Sequence, residues 1–388
     1  MTENKSINKI IIKENDKNDI EILVYQDENL IEQYSEKNDQ KRLEGNIYWG
    51  KVDKIVEGMQ EVFIDIGIDK KALAHVDDIV LKENMKDCLN QNNEKPNIKK
   101  VIKPTDKIIV QVKKDGVGEK GPKVTKNIKL FGRYVILMPF SKIITISNKI
   151  KNEAEKQRII NILKNRNMQY GVIARTLAKE VTAKEINEDI DKLLDLWDEI
   201  KLKIVNEKAP KLLYDNQGLL GKIITDLDTN NVQIITNSEN VKKRIEIIDD
   251  NAKVLIGNIK NTERTMPRKV WLKCGAYITI DMTEALVAID VNSAKCIGKK
   301  DAEENILKVN KEAAKQIAKE IRLRDLGGII VIDFIDMQKE KDREEVKKII
   351  TNELSQDRAK VQVFEFTKLG LLEIARKPIF ANEKKVIL

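Results

Sequence analysis

Thr283-Glu284-Ala285-Leu286-Val287-Ala288-Ile289-Asp290-Val291-Asn292-Ser293 and Gly327-Gly328-Ile329-Ile330-Val331-Ile332-Asp333-Phe334-Ile335-Asp336 are two short apolar runs, each broken by a carboxylate. Ala285 to Ile289 and Ile329 to Phe334 have the length and β-branched content of strands. Between them, Asp301 to Arg322 sets Ile306, Val309, Ala313, Ile317 and Ile321 on one helical face, and Gly327-Gly328 predicts the helix stop. A second helix carrying Val346, Ile349, Ile350 and Leu354, then a strand from Val361 to Phe366, continue the pattern. This β-α-β-α-β order predicts a parallel sheet with right-handed crossovers. The nearly all-apolar run Ile329 to Phe334 predicts a strand covered on both faces.

In a β-α-β unit both strands point the same way, so Asp290 and Asp333 are expected at one carboxyl edge of the sheet, where open α/β sheets bind ligands. A carboxylate at the end of a buried strand is costly unless paired, and two of them side by side repel unless a cation lies between. Two carboxylates with an otherwise open shell suit Mg²⁺, which keeps several waters and accepts phosphate oxygens. Bound there, it would polarise a phosphate and acidify an attacking water. Asn292 lies two residues past Asp290 and, on extended chain, points the same way. Asp336 is expected to face elsewhere. The plainer alternative is that Asp290 and Asp333 only cap the turns that follow them.

Outward from this centre, Val232 to Thr236, Asn240 to Ile248 and Val254 to Gly257 read as strand, helix and strand. Residues 151–207 are mostly helical, with an apolar stripe of Ile186, Ile190, Leu193, Leu194, Trp197, Ile200 and Ile204, and with a strand-like Tyr170 to Ala174 before it. Ile47 to Val52, Gln60 to Ile66, Ala72 to Val76 and Val101 to Val112 are short strands with glycine-marked turns, the pattern of a small barrel. The polar stretch Lys82 to Lys100 interrupts it. Near the start, Lys9 to Ile12 and Ile20 to Val24 read as strands followed by a polar stretch.

The 388 residues point to several domains. Hydrophobic residues make up 41%, and the net charge of +8 fits an anionic partner, although charge runs are usually solvated faces. No apolar run reaches transmembrane length, and Met1 to Ile12 lacks a signal-peptide core. Cys88, Cys274 and Cys296 are widely spaced and form no Cys-x-x-Cys pair, which argues for a reducing compartment and against a cysteine zinc site. His75 is the only histidine, so mechanisms that need two are excluded.

The two carboxylate-bearing stretches resemble the catalytic region of the ribonuclease E/G family, and Asp357-Arg358-Ala359-Lys360 and Leu369-Gly370-Leu371-Leu372-Glu373 continue the match. Gly45-Asn46-Ile47-Tyr48-Trp49-Gly50-Lys51-Val52 and Phe63-Ile64-Asp65-Ile66-Gly67 resemble its S1-type RNA-binding barrel. The resemblance implies a multidomain α/β protein. Its parts are an RNase H-like domain split between residues 1–44 and 221–275, an S1-type barrel at 45–125, a 5′-sensor region at 126–220, and a DNase I-like catalytic subdomain at 276–388.

On that resemblance, Asp290 and Asp333 hold Mg²⁺, with Mn²⁺ as a substitute, and Asn292 orients the site. Arg175, Thr176 and Lys360 match the pocket for a substrate 5′-monophosphate, Lys360 standing where the family typically has arginine. Phe63 stacks a base and Lys114 contacts the RNA backbone, with barrel core as the competing role for Phe63. Leu73 replaces a second aromatic. The family's Cys-x-x-Cys zinc link is not expected in this chain.

The resemblance implies an endoribonuclease that hydrolyses single-stranded, A/U-rich RNA to 5′-phosphate and 3′-hydroxyl ends, is stimulated by a 5′-monophosphate, and acts in RNA decay or rRNA and tRNA maturation. A cytoplasmic homodimer or homo-oligomer is expected. The alternatives are a non-catalytic S1-type RNA-binding protein, disfavoured by the retained Asp290, Asn292 and Asp333, and a DNA-directed nuclease, disfavoured by the barrel.

Overall fold

The computed structural model describes residues 7–38, 42–80, 97–116, 118–227, 229, 232–259, 266–294 and 302–380. The chain divides into two compact units, residues 1–37, 232–242 and 253–388 forming one and residues 38–231 and 243–252 the other. The first unit opens with an antiparallel meander of β1 (Lys9–Glu14), β2 (Ile20–Gln26) and β3 (Asn29–Glu36). Strand β3 falls in the stretch that read as merely polar. Its inward residues include Glu32, which is 1% exposed and paired with Arg358 and Arg322. A buried ion pair therefore imitates a solvated segment.

The second unit holds β4 (Ile47–Val56), β5 (Glu61–Asp65), β6 (Ala72–His75), β7 (Lys107–Lys114) and β8 (Lys123–Thr125). They close a five-stranded barrel in the order β4-β5-β6-β8-β7, with β7 returning to β4. Closure needs one strand with two sets of neighbours. Strand β4 supplies it, pairing with β7 along Ile47–Lys51 and with β5 along Lys51–Val56. At the changeover a Cβ on Gly50 would lie 2.7 Å from Ile64 Cγ2, too close for any side chain. Most of the polar interruption lies outside the described residues. Its end is a helical turn, Ile98–Val101, capped by Asn97, so the strand expected from Val101 begins only at Lys107.

A four-stranded sheet follows, ordered β11-β12-β10-β9 from β9 (Leu130–Phe131), β10 (Val135–Met138), β11 (Ile144–Ile146) and β12 (Gly171–Ala174). Helix α1 (Glu153–Asn165) lies between β11 and β12. Helix α2 (Ala183–Asn206) starts at a Thr182/Glu185 capping box and buries Ile186, Ile190, Leu193, Trp197 and Ile200 in the same core as Val135, Leu137 and Val172. Strand β13 (Lys211–Tyr214) pairs with barrel strand β4, and α3 (Gly218–Asp226) ends the segment.

The chain then returns to the first unit. Strands β14 (Gln233–Thr236) and β15 (Val254–Ile256), linked by α4 (Glu239–Ile248), run parallel to β1 and complete one sheet, β15-β14-β1-β2-β3. The last sheet consists of β16 (Lys269–Trp271), β17 (Tyr277–Met282), β18 (Leu286–Asn292), β19 (Gly328–Asp333), β20 (Lys360–Phe366) and β21 (Leu371–Lys377). Its helices are α5 (Ala302–Leu323) and α6 (Glu340–Leu354), and its order is β16-β17-β18-β19-β21-β20.

Three expectations change here. The sheet is mixed: β18 and β19 are its only parallel pair among the described residues, because β21 inserts antiparallel between β19 and β20. Strand β19 is not covered on both faces. Ile330 and Ile332 pack in one core with residues of α5 and α6, whereas Ile329 on the other face is 56% exposed. Helix α5 is stopped by Asp325, at φ +50°, rather than by the glycines. The amide of Leu326 then donates to Ile321 O at 3.0 Å. Gly327 is needed for close approach, since a Cβ there would lie 2.5 Å from Pro378 Cδ. Among the described residues, no helix is long and apolar enough to cross a membrane.

Candidate active site

Strand β18 runs through Asp290 to Asn292, and its parallel ladder with β19 sets Asp290 directly opposite Asp333. Neighbouring strands lie about 4.8 Å apart, so the two aspartates leave the sheet side by side on one face. Asn292 Nδ2 donates to Asp290 Oδ2. This bond fixes one carboxylate oxygen and leaves the others open. Partial burial raises the Asp333 carboxyl above the usual aspartate range, and the charges of Asp290 and then Asp336 raise it further. Asp336, expected to face elsewhere, is thus near enough for its charge to be felt. Among the described residues, neither Asp290 nor Asp333 forms an ion pair with Lys or Arg. The donor set is all oxygen and carries uncompensated negative charge, which fits a hard divalent cation.

In the other unit, the barrel ladder places Lys54, Phe63, Leu73, Lys123 and Lys114 on one continuous rung across β4, β5, β6, β8 and β7. Phe63 stands on the outer face of β5, whose inward residues are Val62 and Ile64. Arg175 follows β12, and its guanidinium is already engaged. It donates to Gly132 O at 2.6 Å, to Thr225 O at 3.0 Å and to Asp226 Oδ1. The Thr176 hydroxyl bonds that of Ser147 at 2.9 Å. Lys360 begins β20 in the first unit. The structure therefore brings Asp290, Asn292 and Asp333 together, and sets Phe63 and Lys114 on one rung.

The Ribonuclease E/G family model matches residues 129–379. Ribonuclease G of Haemophilus influenzae is 33% identical over 371 residues, covering 90% of this chain and 75% of that protein. Ribonuclease G of Escherichia coli is 32% identical with the same coverage. Ribonuclease E of a Nostoc species is 33% identical over 86% of this chain and 51% of its own length. The chain belongs to the ribonuclease E/G family.

Within this ribonuclease E/G chain, one further residue supports the candidate site although no motif marks it in the sequence. Asn310 on α5 is fully buried, donating through Nδ2 to Ile335 O at 2.8 Å and accepting from Ile335 N at 3.1 Å. It thereby anchors the turn between Asp333 and Asp336. The signal was present, because position 310 falls on the apolar stripe of α5 between Ile306 and Ala313. A lone polar residue there has a specific partner, as burial demands. Other matched residues have structural partners. Arg376 binds Asp357 at 2.8 Å and Asp325 at 2.6 Å, and all three side chains are buried.

Proposed function

We propose that this chain is an endoribonuclease that hydrolyses phosphodiester bonds of single-stranded RNA with Mg²⁺, leaving 5′-phosphate and 3′-hydroxyl ends. The observation that carries this reading is the Asp290–Asp333 rung, two uncompensated carboxylates on one exposed strand edge. Asp290 and Asp333 would hold the ion, and Mn²⁺ would be accepted by the same oxygen donors. When bound, the ion supplies Lewis acidity at the scissile phosphate and a nucleophilic water at neutral pH. Asn292 holds the Asp290 carboxylate in one orientation through its Nδ2 donor. Asn310 holds the backbone that follows Asp333. On the barrel, Phe63 offers a ring to a base, and Lys54, Lys114 and Lys123 on the same rung offer ammonium groups to phosphates.

Arg175 and Thr176 complete the reading as a 5′-monophosphate pocket. A terminal monophosphate carries more charge than an internal diester and would take the guanidinium from Asp226. The test is to compare kcat/KM for one RNA carrying a 5′-monophosphate or a 5′-hydroxyl, with Mg²⁺ and with EDTA, and to map the product ends. Cleavage is expected only with the metal. The 5′-monophosphate substrate is expected to be faster by roughly 10–100-fold, the scale of one charge-assisted hydrogen bond. Arg175→Ala should erase that preference and Asp226→Asn should enlarge it. If Arg175→Ala depresses both substrates alike, its bonds to Gly132, Thr225 and Asp226 are its whole role. Cleavage undiminished in EDTA would refute the metal reading.

A further inference from the structure

The sheet that carries Asp290 and Asp333 continues outward through two strands in defined register. Thr279 of β17 sits opposite Asp290, and Lys269 of β16 sits opposite Thr279. One pleat along, Tyr277 sits opposite Asn292, and Trp271 sits opposite Tyr277. Residues opposite one another, or two apart on one strand, share a face. Lys269, Trp271, Tyr277, Thr279, Asp290, Asn292 and Asp333 therefore all project from the face turned away from the helical core, whose residues include Ile278, Ile280, Val291 and Ile332.

On this face Trp271 is 61% exposed. Its indole meets the Tyr277 ring at 5.2 Å and a 61° tilt, and the Lys269 ammonium lies 4.2 Å from the indole centroid and 3.5 Å from the phenol centroid. Such exposure gives up apolar area that folding could have buried, and β16 is an edge strand of its sheet among the described residues. Two strand spacings, about 10 Å, separate the Trp271 backbone from that of Asn292.

We propose that Trp271, supported by Tyr277, is a stacking site for the base of a nucleotide flanking the scissile phosphate, and that Lys269 takes a phosphate oxygen of the same strand. The inference rests on the single-stranded RNA reading above and extends it from the barrel to the catalytic sheet. Three features select a nucleotide strand as the occupant. An exposed π face suits any base, the adjacent ammonium suits its phosphodiester, and the face is continuous with the carboxylates assigned to cleavage. Trp271 is a positioning residue here, since it touches the substrate away from the reacting atoms.

The experiment uses the full chain and a single-cut RNA oligonucleotide, with a second version abasic at the flanking nucleotide. Binding is read in EDTA, and cleavage is read with Mg²⁺. Trp271→Ala should weaken binding and raise KM about ten-fold, the order for one lost stack, with kcat within about two-fold. Trp271→Phe should restore most of the affinity. The abasic RNA should lose the same factor with the unmutated protein and nothing further with Trp271→Ala. RNA should quench indole fluorescence, and Trp271→Phe should remove that quench, because Trp197 is only 4% exposed and Trp49 packs against a core.

Additive losses from the abasic RNA and Trp271→Ala would overturn the stacking site. So would unchanged affinity accompanied by a shift in oligomeric state, which would make the face an interface between copies. If the unmutated protein neither binds nor cleaves single-stranded RNA, the underlying reading falls and this one with it. If it does both and Trp271→Ala is indifferent, only the stacking site falls.

Discussion

Strand β19 is flanked by carboxylates, and the two ends are built in opposite ways. Before it, Asp325 is buried and accepts from Arg376 Nη1 at 2.6 Å and from the amides of Ile379 at 2.9 Å and Phe380 at 2.6 Å. Arg376 also reaches Asp357, whose other oxygen accepts from Ala359 N. At its far end, Asp333 faces Asp290, and among the described residues no Lys or Arg pairs with either. The family match runs without distinction through both ends, but the physics separates them. A buried carboxylate with every oxygen satisfied serves the fold, whereas an exposed pair left to repel is a candidate for binding a cation. Similarity to relatives alone would not have sorted these residues.

The largest expected effect breaks the Asp333 end, the candidate site. Asp290→Asn or Asp333→Asn should reduce cleavage by on the order of 10³-fold, the scale on which one electrostatic group at a reacting phosphate acts. RNA affinity in EDTA should hold, because the barrel rung is untouched. A variant that keeps full activity would remove the two-carboxylate site from consideration.

Breaking the structural end should do the reverse. Arg376→Met leaves Asp325 and Asp357 buried without their partner and should destabilise by about 3–5 kcal/mol. Activity per folded molecule should persist. Denaturant titration together with active-site counting separates the two, and a large loss of kcat in the folded fraction would mean that the buried triad also shapes the site.

This contrast also decides how much of the site and fold is legible in the sequence. The shared edge of Asp290 and Asp333 is legible because each interrupts an apolar run, and parallel strands share an edge. Arg376, Asp357 and Glu32 were not. Their partners lie far away in sequence, and a buried ion pair looks like surface until both halves are seen. The same disguise hid two strands. In Leu371–Lys377 the inward positions are Leu372, Ile374 and Arg376, so a cation sits where alternation expects an apolar residue. In Asn29–Glu36 the inward set includes Glu32. The insertion of β21 between β19 and β20 was illegible for a different reason, since local periodicity carries no information on strand order. The split of the first sheet between residues 9–36 and 233–256 followed only from the family resemblance.

Asn310 tests whether the candidate site depends on its own buried support. Asn310→Ala orphans the amide and carbonyl of Ile335 and should cost about 1–3 kcal/mol. Because that backbone follows Asp333, kcat should fall while RNA affinity in EDTA is retained. Equal kcat despite the stability loss would show that Asp333 is held by its ladder alone.

The smallest effect is the sharpest, because stability and activity move in opposite directions. In the metal-free protein the Asp333 carboxyl is raised by burial and by the charges of Asp290 and Asp336. Between the ordinary aspartate value of about 3.9 and that raised value, the folded state holds a proton that the unfolded state has lost. Stability therefore falls as pH rises through this window, and the penalty is fully present at neutral pH. Asp333→Asn removes it. In EDTA at pH 7 the inactive variant should be the more stable protein, by up to about 1 kcal/mol, the scale of an exposed charge pair. The advantage should shrink as pH falls through the window. Mg²⁺ should raise the Tm of the unmutated chain by binding the folded state and should do so far less for Asp333→Asn. Melting curves from pH 4 to 8, with EDTA and with Mg²⁺, decide the matter. A variant less stable than its parent at pH 7 in EDTA would mean that Asp333 is structurally paired, and the two ends of β19 would no longer differ in kind.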